Sequence, residues 1–425
     1  MTEYRHFVRG LETGAWQAPL EAVYGGQAAY QTERLLKTAA TFAELFGTQA
    51  EVAAFSAPGR TEIGGNHTDH NCGKVLAASI NLDAIAVAAK REDGMAVVKS
   101  AGHDRDEVDT RSLLPRASEE GRSVALLRGV CAGFVQRGYK IGGFEAATMS
   151  DVLSGSGLSS SAAFEVLLGT ILNHLYNDGQ VPAPVIAQIA QYAENRFFGK
   201  PCGLMDQTAC AVGGFVAIDF GDTSAPAIQP VPFDFASCGH ALCIVDSGGS
   251  HADLTEDYGA VRGEMESVAQ AVGKSVLRET SRAEVLADLP RIREETGDRA
   301  LLRTLHFFAE NERVDRQAAA LQRGDFEDFK TLIRESGRSS CMYNQNVYTG
   351  RTPPAQPVSL ALALSEAILG EAGAWRVHGG GFAGTIQAFV PLALLETYRC
   401  QMEQVFGGGS CYVLEIRPSG GIRLL

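Results

Sequence analysis

The stretch DVLSGSGLSSSAAFEV, residues 151–166, brings glycines, hydroxyls and an apolar run together at close spacing. Gly155, Ser156 and Gly157 follow a strand-like segment, and Leu158, Ser159, Ser160 and Ser161 lead into an apolar-periodic one. The first turn of a helix has backbone N–H groups without internal partners and carries partial positive charge. Glycines beside it let a ligand approach the backbone, and hydroxyls can donate or hold a metal, so the pattern predicts a phosphate cradle. A glycine turn with ordinary serine capping would read the same from these residues alone. It is not a Walker loop: the one GK[ST] match, at 273–275, has Val268 where the leading glycine belongs.

Three other clusters carry chemistry. In AENRFFGKPCGLMDQTAC, 193–210, Glu194 precedes Asp206 by twelve residues. Near a phosphate cradle one carboxylate can hold Mg²⁺ and another can orient a hydroxyl or take its proton, although most acids are simply solvated. In VHGGGFAGTIQAFV, 377–390, a triple glycine feeds an alternating strand. HGGG also marks the oxyanion hole of some serine esterases, but no GxSxG nucleophile follows, which leaves a glycine loop for close approach. The DFG at 219–221 has no HRD loop before it and is a chance match to protein kinases. Finally, GRTEIGGNHTDH, 59–70, repeats at neither 2 nor 3.6 residues, so neither a plain strand nor a helix is expected there.

These groups need elements to hold them. Residues 15–49 read as largely helical, ending at Gly47, and 75–100 as two or three strands with a turn at 92–94; 101–123 reads as an exposed loop. A strand over 142–151 precedes the glycine–serine cluster. Phe164, Leu167, Leu168, Ile171, Leu172 and Leu175 then form the stripe of a helix packed on a sheet. A helix over 182–197, a strand over 213–220, charged helices over 256–338 and strands near 384–390 and 410–417 are expected to follow. Interleaving without strict βαβ alternation gives an α+β chain of two domains, 1–228 and 229–425, divided near the proline-rich 222–232 stretch.

The 425 residues carry 37 basic and 50 acidic side chains, a net charge of −13 that argues against a general nucleic-acid or anionic-membrane binder. No signal peptide or membrane span is read, and nine scattered cysteines without CxxC spacing fit free thiols in a reducing cytoplasm.

In chain order, APGRTEIGGNHTDHNCGKVL (57–76), GSGLSSSAA (155–163), PCGLMDQ (201–207) and GGGFAG (379–384) resemble the GHMP small-molecule kinases, and among them the galactokinases. AAALQRGDFEDFKTLIRESGRSS (318–340) is similar to their C-terminal helical stretch, so the resemblance spans nearly the whole chain. It implies a ribosomal-protein-S5-like N-terminal domain, a ferredoxin-like C-terminal domain and a site between them. It also implies transfer of the ATP γ-phosphoryl group to a sugar's anomeric hydroxyl, by a monomer or weak homo-oligomer. By the same resemblance Asp206 is base or orienter, Arg60 lies by the transferred phosphate, and Gly155 through Ser161 bind ATP. Ser161 (or Ser160) and Glu194 hold Mg²⁺; Asn66, His67, Asp69, Gly203 and Tyr258 contact the sugar.

The chain departs from that pattern at several points. Asn66 stands where galactokinases have an acid that partners the sugar's 6-hydroxyl, His70 where they have tyrosine, and Gly64–Gly65 where they have Ile–Gly. A neutral amide would tolerate a 6-carboxylate, so a galacturonate kinase is the alternative, and a sugar- and ATP-responsive sensor the non-enzymatic one. Mevalonate or homoserine as acceptor is disfavoured by the HTD signature. Leu153 replaces a proline, Ala383 a glycine, and SVALLRGV (123–130) lacks the aromatics that often stack adenine.

Overall fold

The computed structural model describes residues 1–153, 157–223, 225–248 and 254–425. The chain forms two compact units, one of Met1–Arg60, Ser79–Gly214 and Arg417–Leu425, the other of Thr61–Ala78 and Phe215–Ile416. The proline-rich 222–232 stretch lies within the second unit, around the strand Ala227–Val231.

In the first unit, strands run in the order Thr2–Glu3, Glu51–Gly64, Lys74–Arg91, Gly143–Ser150, Met95–Ser100, Arg105–Asp109. Lys74–Arg91 is antiparallel to Gly143–Ser150, which is parallel to Met95–Ser100. Helices Tyr4–Thr13, Gln17–Tyr24 and Ala28–Phe46 bury Phe7, Leu11, Leu20, Leu35 and Phe42 against Ile85, Val87 and Ala89. Ala84, Ala86 and Ala88 are equally buried and, by the pleat, face the other way. The last residues return to this sheet, Ile422 opposite Ser56 and Arg423 opposite Phe55.

Asp83, fully buried, gathers the unit's parts: it takes hydrogen bonds from Tyr24 (2.6 Å), Arg34 (2.6 Å), Arg417 (3.0 Å) and Ser56. Helices Ser123–Gln136, Ser160–Tyr176 and Ala183–Ala193 form a tight bundle. A Cβ on Gly129 would stand 2.7 Å from Ala193, and one on Gly133 2.8 Å from Ile189, so only glycine lets the last of these helices seat so deeply.

Two segments differ from what the sequence predicts. The strand Glu51–Gly64 runs into the segment expected to be neither strand nor helix; it is buried on both faces from Val52 onward, so no alternation betrays it. The expected loop at 101–123 contains the strand Arg105–Asp109, whose alternating burial (Asp106 and Val108 inward) is carried by an aspartate at one of the two buried places.

The second unit holds an antiparallel four-stranded sheet ordered Ala374–Val377, Thr385–Pro391, His240–Asp246, Cys411–Leu414. Helices Pro357–Leu369 and Leu395–Phe406 cover it through Val358, Ala361, Tyr398 and Met402. A helical layer, Thr255–Ala271 through Asp298–Gln322, packs around Val261, Met265, Leu277 and Phe307. The 74–78 end of Lys74–Arg91 pairs with Phe215–Asp219, which pairs with Ala227–Val231.

Candidate active site

In the first unit the glycine–serine loop and the MDQ helix meet. Gly155 and Ser156 lie outside the described residues. Gly157 and Ser159 are left-handed (φ 75° and 61°), and helix Ser160–Tyr176 begins immediately after. Ser159 does not cap that helix; its hydroxyl donates to Asp206 at 2.6 Å. Leu158 is buried, and its carbonyl accepts from the Arg60 N–H at 3.1 Å, fastening the loop to strand Glu51–Gly64.

Asp206 sits in the first turn of helix Met205–Val212, where a carboxylate is favoured by the helix dipole. Arg60 clasps it with two bonds, Nε to Oδ1 at 2.7 Å and NH2 to Oδ2 at 2.5 Å, while NH1 donates to the Gly157 carbonyl. The Asp206 side chain keeps 29% exposure, so a ligand can still reach it. Burial pushes its carboxyl up, but the Arg60 charge and the bonds from Arg60 and Ser159 outweigh that and hold it below the usual carboxylate range. Gly203 is exposed in the loop just before this helix.

Glu194 lies on a π-turn, Glu194–Phe198, that ends helix Ala183–Ala193. Its Oε1 accepts from Ser161 Oγ and Lys200 Nζ, both at 3.2 Å, and its Oε2 from Gln207 Nε2 at 2.7 Å. Gln207 also donates to Glu165 at 3.3 Å. Glu165 is fully buried and its carboxyl is pushed well up, chiefly by burial and then by Glu194. Glu165, Gln207 and Lys200 were not singled out by sequence; the place of Glu165 one helical turn after Ser161 is a signal that could have found the first of them.

Beside Ser160 and Ser161 opens a cavity of about 340 Å³, lined among others by His103, Leu126, Phe164 and Phe198. Its aromatic walls come from Phe164 and Phe198, while the 123–130 segment, which lacks aromatics, contributes Ser123 and Leu126.

In the second unit, helix Asp298–Gln322 buries a polar stripe, Arg303, His306, Glu310, Arg313 and Gln317, at spacings of three and four. That stripe holds the 64–74 segment. Glu310 accepts from Gly65 N–H at 3.1 Å, His306 Nε2 meets the Asn66 carbonyl at 2.9 Å, and Asn311 accepts from Lys74 N–H at 2.7 Å. Because a carbonyl only accepts, His306 carries its proton on Nε2 and takes one from Ser339 on Nδ1 (2.8 Å). The stripe escaped the sequence reading because charged helices read as solvated.

His67 is left-handed (φ 59°), and its Nε2 donates to the Gly380 carbonyl at 2.8 Å, which leaves Nδ1 as an acceptor. Burial drives its pKa down to about 4, so it is neutral at physiological pH. Asp69 is partly exposed, with His70 3.7 Å away. Tyr258 donates to the Gly381 carbonyl at 2.8 Å. Asn66, expected at the substrate, has no accessible surface.

Residues 125–214 match the GHMP kinases N terminal domain, and residues 40–90 the galactokinase galactose-binding signature. A galactokinase of Streptomyces coelicolor is 33% identical over 390 residues, 90% of this chain and 97% of that one. A Homo sapiens galactokinase is 32% identical over 396 residues, 91% and 96% of the two chains. Among solved structures, Lactococcus lactis galactokinase complexed with galactose has a TM-score of 0.74 at 26% identity, covering 90% of this chain and 98% of that one. A mevalonate kinase shares the fold at a TM-score of 0.60 and 12% identity, with 86% and 99% covered. With the glycine–serine loop, the Arg60–Asp206 clasp and these relatives taken together, the chain belongs to the galactokinase family of the GHMP kinases.

Proposed function

We propose that the chain transfers the γ-phosphoryl group of ATP to the anomeric hydroxyl of galactose, giving galactose 1-phosphate and ADP. The observation that carries this is the two-bond Arg60–Asp206 clasp set against Gly157 and Ser159. An ionised, ligand-accessible Asp206 orients the attacking hydroxyl and takes its proton as the bond to phosphorus forms. Arg60 supplies fixed positive charge where the phosphoryl oxygens gather it. Positioning and charge do most of the work in such a transfer, and both residues come to it already locked.

The N–H groups opening helix Ser160–Tyr176 suit the ATP phosphates, and the adjoining cavity, walled by Phe164 and Phe198, suits the base. Ser161 and Glu194 fit Mg²⁺: they offer hard oxygen donors 3.2 Å apart, few enough that phosphate and water would complete six-coordination. The metal, when bound, neutralises charge on the phosphates. Lys200, now on Glu194, would give way to it. We assign the sugar to His67, Asp69, Gly203 and Tyr258; the Asp69 carboxylate can accept from two neighbouring hydroxyls. The nine free thiols support work in a reducing compartment, the cytoplasm.

Coupled ADP release with ATP–Mg²⁺ tests this across galactose, galacturonate, glucose, N-acetylgalactosamine and arabinose. Fastest turnover on galactose is expected; silence on all five would leave a sensor instead.

A further inference from the structure

The Asn66 side chain has two N–H donors and two acceptor lone pairs. All are engaged. Nδ2 donates to the Gly379 carbonyl at 2.7 Å and to Glu62 Oε1 at 3.2 Å. Oδ1 accepts from Asn346 Nδ2 at 2.8 Å and Ser340 Oγ at 3.1 Å. These partners come from three places: strand Glu51–Gly64, the glycine loop at 379–381, and the π-turn Ser340–Asn344 with the residues just after it.

The glycine loop depends on that arrangement. Gly379 and Gly381 are left-handed (φ 66° and 78°), and a Cβ on Gly380 would stand 2.5 Å from the Tyr258 ring. Asn346 Nδ2 reaches the Gly380 carbonyl at 3.1 Å, the same carbonyl that His67 holds. The amide therefore ties down the loop whose carbonyl fixes the His67 tautomer. A carboxylate at position 66 has no N–H for Gly379 and would face Glu62, which Arg376 already holds at 2.6 Å.

We infer that Asn66 is a positioning residue that clamps the glycine loop and makes no contact with the substrate. Within 66–69, Thr68 is likewise taken up, its hydroxyl on the carbonyls of Gly65 (2.8 Å) and Lys74 (2.6 Å). The side-chain atoms of the segment left for a sugar are then acceptors, His67 Nδ1 and the Asp69 oxygens. Given the assignment of 66–69 to the sugar, these side chains select neutral hydroxyl donors, and none of them supplies a partner for a 6-carboxylate.

The test compares galactose with 6-deoxygalactose, in the wild type and in Asn66→Ala. Both sugars should lose kcat/KM together, their ratio staying within about twofold, as for groups that do not interact. A ratio collapsing toward one in the variant would make Asn66 a 6-hydroxyl contact and overturn the inference. So would galacturonate turnover by the wild type at the galactose rate.

Hydrogen exchange of the 378–384 amides, without substrate, reads the clamp independently of activity. About tenfold faster exchange is expected in Asn66→Ala, the loss of a buried partner; unchanged exchange overturns it. Ser340→Ala removes one bond to Oδ1 and gives the same readout if Asn66→Ala does not fold. A wild type silent on every sugar would defeat the galactokinase assignment, and the exchange would still decide the clamp.

Discussion

Arg60 and Asp206, 146 positions apart in the chain, meet side by side, Nε on one carboxylate oxygen and NH2 on the other. The consequence is a carboxylate that stays ionised although its surroundings favour the acid. Removing the cation should therefore act through pH as well as through lost charge. Arg60→Ala is expected to lower kcat about 100- to 1000-fold. It should also move the acid limb of the kcat–pH profile upward, because burial is left unopposed on Asp206. A limb that stays where the wild type has it would break the link between the two residues.

Asp206→Asn keeps the side chain's shape and removes the proton acceptor. A fall in kcat of about 100- to 10,000-fold is expected. Nucleotide titration should find ATP binding nearly unchanged. Near-full turnover by this variant would mean that the carboxylate neither orients nor accepts.

Gln207 pins Glu194 Oε2 and so turns Oε1 toward Ser161. Gln207→Leu should weaken metal binding by about 10- to 100-fold, the usual cost of losing an outer-shell partner. Isothermal titration with Mg²⁺ and ATP, or Mn²⁺ binding by electron paramagnetic resonance, measures this apart from turnover. Unaltered metal affinity would place Glu194 outside the metal's reach.

His67 sets a pH window for stability. Its native pKa, depressed to about 4 by burial, lies below an unfolded value of about 6.5. The unfolded chain then binds a proton that the native one refuses, so the contribution is complete above the unfolded value and is lost as pH falls toward the native one. His306, also lowered by burial, adds in the same direction. Urea titrations at pH 7, 6 and 5 should show stability falling with acid, and His67→Gln should flatten that slope whatever it does to absolute stability. An equal slope in the variant would show that His67 protonates freely in the native state.

Asp83 is the buried anion between Arg34 and Arg417. Asp83→Ala leaves both guanidinium groups without it and is expected to cost about 3–5 kcal/mol. Equilibrium denaturation would register this as a lower midpoint; a loss under about 1 kcal/mol would mean that the cluster re-pairs.

Much of the first unit's local geometry was legible because short-range pattern sets it. Gly157 and Ser159 need left-handed backbone, helix Ser160–Tyr176 carries a clear apolar stripe, and Asp206 opens a short helix. What stayed hidden depends on contacts between distant segments. The stripe from Arg303 to Gln317 has the period of a core face but the composition of a solvated one. Its burial comes from distant partners, the 64–74 segment on His306 and Glu310, and Glu264 with the Asn344 carbonyl on Arg303. Asn66 looked like a ligand contact because its spacing matched a sugar signature, yet spacing says nothing about which partners an amide has already satisfied. Phe198 as a cavity wall follows from the π-turn at Glu194–Phe198, an extra residue in a helical turn that periodicity does not register.

The return of Arg417–Leu425 to the first unit has a bearing on biosynthesis. Ile422 pairs with Ser56, and Arg417 closes over Asp83, residues made more than three hundred positions earlier. As the chain leaves the ribosome, the first unit must wait with a strand edge uncovered and a buried aspartate one cation short until nearly all of the second has emerged. Vectorial synthesis cannot finish the first unit before the second, and a stalled ribosome would present an open sheet to chaperones.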